Sequence, residues 1–200
     1  MKATHPTKQR LIDVTVALLE DKQPHEVQVD EILETSGISK GSLYHHFQDL
    51  SELMEVAITV RYSRYVDMSI GFMTSELLVN NKEDLYKGLV RLTELTQDTG
   101  RAKYRLERAR ALALTDGNPR FAKLLGEEQA RLTSSLADII HDLQNKELVS
   151  KKYDANVIAT YIQSYTLGLV INDVTTKPID MAPWREVIND IAKYIFVDQL

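Results

Sequence analysis

Two hundred residues can enclose a sizeable core, as one domain or as a small domain joined to a larger one, and 44% hydrophobic with 26% charged residues is an ordinary globular composition. The absence of cysteine excludes disulfides, thiolate metal sites and a cysteine nucleophile. A formal net charge of −5 works against indiscriminate attraction to polyanions. Residues 1–6 read as a short tail ending at Pro6, where a helix can begin. Leu11, Val14 and Leu18, with Ile12 and Leu19 beside them, form an apolar stripe at helical spacing, which Asp21-Lys22-Gln23-Pro24-His25 breaks. Lys8 and Arg10 lie near its start, either as a basic arm toward a phosphate or as a solvated helix end. No stretch approaches roughly 18 consecutive apolar residues, and MKATHPTKQR lacks the apolar core of a signal peptide. A cytoplasmic protein without a membrane span is expected.

The stretch from Val27 to Leu53 predicts a helix, a tight turn, a second short helix and the start of a longer one. Val27, Val29, Ile32 and Leu33 share one helical face, Ser36-Gly37 supplies the break, and Ser39 can cap the next helix through its hydroxyl. Ile38 points back toward a small core. Ser39, Lys40, Gly41 and Ser42 then form a first turn whose short side chains leave backbone N–H groups open, with a lysine beside them, an arrangement that suits a phosphate. Leu43 and Phe47, four apart, anchor this helix inward, so Tyr44, His45 and His46 divide its remaining faces and can meet DNA backbone and base edges.

The run from Gly37 to Phe47, Gly-Ile-Ser-Lys-Gly-Ser-Leu-Tyr-His-His-Phe, resembles the signature of the tetracycline-repressor (TetR) family of bacterial transcriptional regulators, and the helix from Thr7 to Leu19 is similar to that family's first helix. The resemblance implies an all-α protomer: an N-terminal three-helix helix-turn-helix domain, residues 1–50, joined by a long helix to a C-terminal helical domain, residues 51–200, that binds a ligand and dimerises. It implies DNA contacts from Gln28, Ser39, Lys40, Gly41, Ser42, Tyr44, His45 and His46. Its expected partners are a double-stranded palindromic operator, a small-molecule effector that releases the DNA, and a second copy of the chain, with no cofactor and no metal. The chain departs from the family pattern in three places: Gln23-Pro24-His25 stands where a glycine and an aromatic are usual, Gln28 and Asp30 where a threonine and an arginine are, and Leu50 where a lysine is. Five cations against eight anions leave residues 1–50 at −3, so binding would lean on a few placed contacts and on dimerisation. A TetR-like fold acting through a protein partner is the alternative.

Leu53, Met54, Ala57, Ile58, Tyr62, Tyr65, Val66, Phe72 and Met73 carry the long helix toward Leu78, and Asn80-Asn81 ends it. A further helix from Asp84 to Gln97 follows through Leu85, Leu89, Leu92 and Leu95. After Gly100, Ala102, Leu106, Ala109 and Ala113 give the stripe of the next. Arg101, Lys103, Arg105, Arg108 and Arg110 on the same segment read as a solvated face, or else as an anion site for an acidic ligand. Thr115 to Pro119 is a turn, and Phe121 to Leu148 a long amphipathic helix with Leu124, Leu125, Leu132, Leu136, Ile139, Ile140 and Leu143 inward.

Asp154 caps a run with Ile158, Tyr161, Ile162, Tyr165, Leu169 and Asn172 along one side. After Lys177-Pro178 a last helix carries Trp184, Val187, Ile188, Ile191, Ile195 and Phe196. In the resembling family this pair packs against its copy, which implies a dimer interface of Ile158, Ile162, Gly168, Trp184, Ile188, Ile191 and Ile195. The aromatics Tyr62, Tyr65, Tyr104, Phe121, Tyr161 and Tyr165 are the candidate lining of a ligand pocket. Catalysis is not expected: His45 and His46 are adjacent rather than at i, i+4, His5, His25 and His141 are scattered, and no Gly-rich phosphate loop, nucleophile elbow or HExxH occurs.

Overall fold

The computed structural model describes residues 5–196; the first four residues of the tail, Lys2 among them, and residues 197–200 lie outside the described part. Ten α-helices and two short 3-10 turns make up the described chain, and no strand occurs among these residues. Contacts divide the chain into two compact units, Met1–Tyr65 with Leu114–Glu128, and Val66–Ala113 with Gln129–Leu200.

The first unit contains α1 (Pro6–Asp21), α2 (Val29–Ser36), α3 (Lys40–His46), the first part of α4 (Leu50–Leu77) and the start of α7 (Pro119–Asn145). Its core joins Leu11, Val14 and Leu19 of α1 to Ile32 of α2, Leu43 of α3, Phe47, and Leu53 and Ala57 of α4. Helices α1 and α3 start where the sequence supplies a cap. His5 Nδ1 accepts from the Thr7 N–H at 3.2 Å ahead of Pro6, and Ser39 Oγ accepts from the Ser42 N–H at 3.3 Å. Gly37 ends α2 at φ +70°, a conformation that side chains with a Cβ rarely adopt. At the start of α4, Asp49 Oδ1 accepts from the Glu52 N–H at 2.7 Å while Glu52 Oε2 accepts from the Gln48 N–H at 2.6 Å.

The second unit contains the rest of α4 and α7 with α5 (Lys82–Thr96), α6 (Ala102–Ala113), α8 (Ala155–Gly168), the one-turn α9 (Val170–Asp173) and α10 (Met181–Phe196). Leu77, Leu85, Leu89, Leu136, Ile140 and Ile158 lead its core. At 28 residues α4 is about 42 Å long, close to the length expected from its stripe. Where α5 crosses the end of α4, a Cβ built on Gly88 would stand 2.2 Å from the Glu76 carbonyl oxygen, so glycine is what permits the approach.

Two elements differ from the sequence expectation. On α6 the buried side chains are Arg105, Arg108 and Ala111, not the Ala102, Leu106, Ala109 and Ala113 stripe. The cause is a distant partner: Arg105 Nε and Nη2 donate to the two carboxylate oxygens of Asp173 at 2.6 and 2.7 Å, and Nη1 donates to the carbonyls of Thr96 and Asp98 at 3.1 and 3.0 Å. Asp173 closes α9, so the run expected to be continuous to Asn172 is broken at Leu169. Both side chains of this pair are almost wholly buried, 5% and 4% exposed, which makes removal of one member costly. Arg105→Leu should therefore lower unfolding free energy by about 3–5 kcal/mol, read from the urea midpoint; a loss within about 0.5 kcal/mol would show that the pair is not structural.

Candidate nucleic-acid interface and ligand cavity

Helix α3 is held by its inner face and presents its outer one. Leu43 is fully buried and Phe47 nearly so, while Ser39, Lys40, Gly41, Tyr44 and His45 are exposed. Tyr44 is 46% exposed, a large ring that no neighbour in the first unit covers. A Cβ on Gly41 would meet nothing within 4 Å, so internal packing does not demand glycine there. Ser42 is half-buried, its N–H held by Ser39, and Gln28 is exposed at the N-cap of α2 without using its side chain as a cap. Asp30 lies in the first turn of α2, where its charge complements the helix dipole rather than capping it.

The start of α1 and the end of α3 share a corner of three imidazoles and one lysine. The His5 and His46 rings lie 4.8 Å apart and His45 and His46 5.1 Å apart, and Lys8 Nζ sits 4.9 Å over the Phe47 ring. Four acidic residues of the same unit are engaged elsewhere. Glu31 pairs with Lys22 at 2.5 Å, Glu26 accepts from the Gln23 N–H at 2.7 Å, Asp13 accepts from Gln9 at 2.9 Å, and Asp49 is the α4 cap. Behind α3, Arg120 of α7 donates to both oxygens of Glu55 at 2.5 and 2.9 Å and reaches Gln48 and Asp49 at 3.4 Å. Burial alone would raise the Glu55 pKa, but hydrogen bonds from Arg120 and Asn118 outweigh it and leave the carboxyl below its ordinary value.

The second unit encloses a cavity. Its apolar wall includes Met73, Leu77, Leu89, Leu92, Leu136, Ile162, Ile188, Ile191, Ala192, Ile195 and Phe196; Thr93, Thr96, Tyr161, Tyr165 and Thr166 are its polar members. Of the six aromatics expected to line a pocket, Tyr161 and Tyr165 do so. Tyr62 and Tyr65 face each other at 6.0 Å in the first unit, Phe121 lines a groove of that unit beside Gln28, and Tyr104 is 52% exposed. The threonines escaped notice because hydroxyls on helices ordinarily signal a solvated face.

The residues expected at a dimer interface also fall into place individually. Ile158 and Ile188 are buried in their own protomer, Ile162 packs against the core, and Ile188, Ile191 and Ile195 line the cavity. Trp184 Nε1 donates to Gln97 Oε1 at 2.9 Å, and Gly168 faces open space. The apolar side chains left exposed on these helices are Val157, Tyr161, Val187, Ile191 and Tyr194. Among the described residues no group of three metal-ligating side chains converges, and no helix is long and apolar enough to cross a membrane.

Residues 11–57 match the family model of bacterial regulatory proteins, tetR family. Over 98 residues the chain is 28% identical to the HTH-type transcriptional regulator BetI of Pectobacterium atrosepticum, an alignment covering 49% of this chain and 40% of that protein. The match thus spans less than half the length of this curated relative. The structure is similar to that of a TetR-family transcriptional regulator from Cytophaga hutchinsonii, at a TM-score of 0.68 and 17% identity over 99% of this chain and 100% of that one. It is also similar to a protein from Saccharomonospora viridis described as a transcriptional regulator and solved in complex with choline, at 0.65 and 21% over 96% and 98%. Such identities establish a common fold.

The histidine corner yields a direct prediction. Burial first, then the charges of His5, His45 and Lys8, lower the His46 pKa below its ordinary 6.5. The unfolded chain therefore takes up a proton that the folded unit refuses as pH falls through 6.5, and the folded unit loses stability in that window. An NMR titration should place the His46 midpoint below 6.5, and Lys8→Ala should move it upward; a midpoint at or above 6.5 would remove the corner as described. Residues 11–57 thus match the model of the tetR family of bacterial regulatory proteins, and the fold of the described chain is that of solved TetR-family regulators.

Proposed function

We propose that the chain is a cytoplasmic, ligand-responsive transcriptional repressor that binds a palindromic operator as a dimer and leaves it when a small molecule enters the second unit. The observation that carries the DNA half is the exposed surface of α3: Lys40 and open backbone amides at its start, Tyr44 and His45 along it, and no acidic residue anywhere from Gly37 to Gln48. Lys40, Gly41 and the first-turn amides hold phosphates, with Ser39 and Ser42 beside them. Tyr44, His45 and His46 meet base edges, and Gln28 reaches the backbone from the start of α2.

Dimerisation supports this reading because one protomer offers too few cations for tight binding. The exposed apolar side chains of α8 and α10, with Gly168 between them, are the surface a second copy would cover. Two copies then present two α3 helices about one DNA turn apart. The cavity supports the ligand half. Its wall includes Met73 and Leu77 of α4 and Leu136 of α7, and these two helices also run through the first unit, so a ligand that favours one set of their positions shifts the population of DNA-competent dimers.

The experiment is binding of purified protein to its own upstream DNA and to random DNA at two salt concentrations. Lys40→Ala should weaken binding to both and reduce the salt slope by about one, whereas Tyr44→Ala should cost about 1–3 kcal/mol mainly on the preferred sequence. Gly41→Ala, which has room inside the chain, should leave the melting temperature unchanged or higher while weakening DNA binding. Equal binding to both DNAs at low salt would overturn this function and turn attention to a protein partner for the acidic unit.

A further inference from the structure

An aromatic lining suits a flat or hydrophobic ligand, whereas the arginines of α6 suit an acidic one. The cavity wall decides between them. No Lys, Arg, His, Asp or Glu lines it among the described residues. Arg105, the buried cation closest in sequence to the wall residue Thr96, is saturated by Asp173 and by two backbone carbonyls. A carboxylate seated here would have no counter-ion, and neither would an ammonium.

The threonine hydroxyls of the wall have a fixed polarity. Thr93 Oγ1 donates to the Leu89 carbonyl at 3.0 Å, Thr96 Oγ1 to that of Leu92 at 2.8 Å, and Thr166 Oγ1 to that of Ile162 at 2.9 Å. A hydroxyl has one proton, and each of these is committed to its own helix. What the three threonines offer a ligand is lone pairs. Burial pushes the Tyr165 pKa to about 12, so its hydroxyl stays neutral at physiological pH. The space is narrow. Its volume is about 60 Å³, roughly four times the ~15 Å³ that one water needs. An alkyl chain or a single small ring fits without rearrangement.

We propose that this cavity takes an uncharged, slim hydrophobic molecule whose one polar group is a hydrogen-bond donor, a hydroxyl or a primary amide, set against the threonine oxygens. The inference rests on reading the second unit as ligand-binding, and deepens it by naming the ligand's class. Donor meets acceptor at Thr93, Thr96 and Thr166, and the chain lies along Leu136, Ile188 and Phe196. A carboxylate of the same length presents lone pairs to lone pairs. A trimethylammonium has no proton to donate.

Trp184 is the single tryptophan and stands on α10, which supplies Ile188, Ala192 and Phe196 to the wall, so its fluorescence reports on the cavity. The full chain, without DNA, is titrated with octanol, octanoate and octyltrimethylammonium at pH 7. Octanol should bind more tightly than either ion by about tenfold or more. Thr166→Val, which keeps the shape and removes the acceptor, should reduce that lead several-fold. Ala192→Phe, which fills the slot, should abolish the signal while circular dichroism remains that of the folded chain. Tightest binding by either ion, no binding by octanol, or an undiminished lead in Thr166→Val would overturn the assignment. The three ligands are then added to the protein–DNA complex: octanol that binds as expected but leaves DNA occupancy unchanged upholds the ligand class and removes effector release instead.

Discussion

The recognition helix exists because two side chains are buried. Helix α3 has seven residues, too few to persist in water, since nucleation is costly and each further residue adds little. Leu43 and Phe47 supply what propensity does not. Each gains about 1.5–3 kcal/mol on burial, and together they tie α3 to α1, α2 and the first turns of α4. Gly37 and Ser39 set the angle of entry, and the cap formed by Asp49 and Glu52 begins α4 four residues after α3 ends. The outer face of α3 is thereby free of any structural task. Its residues can be chosen for what they meet outside the chain, which is how a short helix becomes a reading head.

The acidic balance of the first fifty residues looks hostile to DNA only when charge is counted along the sequence. In space several of the anions are engaged: Glu31 with Lys22, Glu26 on the Gln23 N–H, Asp49 as a cap and beneath Arg120. Helix α3 carries one lysine and two histidines and no acid. On the proposed reading, binding leans on a few placed contacts and on the pairing of two protomers rather than on a basic surface. Arg120 also braces the residues that follow α3, since one guanidinium reaches Gln48, Asp49 and Glu55.

How much of this was legible in the sequence depends on the distance over which each feature is determined. The turn at Gly37, the cap at Ser39, the inward Leu43 and Phe47 and the span of α4 are set by neighbours within a few residues, and the structure reproduces them. The face of α6 was not legible, because Arg105 turns inward toward an aspartate 68 residues away that periodicity cannot see. The same pairing accompanies the break between α8 and α9. The cavity was legible in part. Tyr161 and Tyr165 line it, whereas Tyr62, Tyr65, Tyr104 and Phe121 are placed elsewhere, since an aromatic on a helix marks burial without saying in which core. The isoleucines of α8 and α10 show the opposite ambiguity: the strongest apolar stripe is the one the protomer uses for itself, and the apolar side chains it leaves exposed are a weaker set around Val157, Val187 and Tyr194.

The central claim is that α3 reads double-stranded DNA from a symmetric pair of protomers. Selection of bound duplexes from a random pool by the full chain tests it without assuming an operator. Enrichment of a two-fold symmetric sequence whose half-site centres lie about one helical turn apart is the expected result. A selected pool no different from the input, at a salt concentration where the protein remains folded, would contradict it.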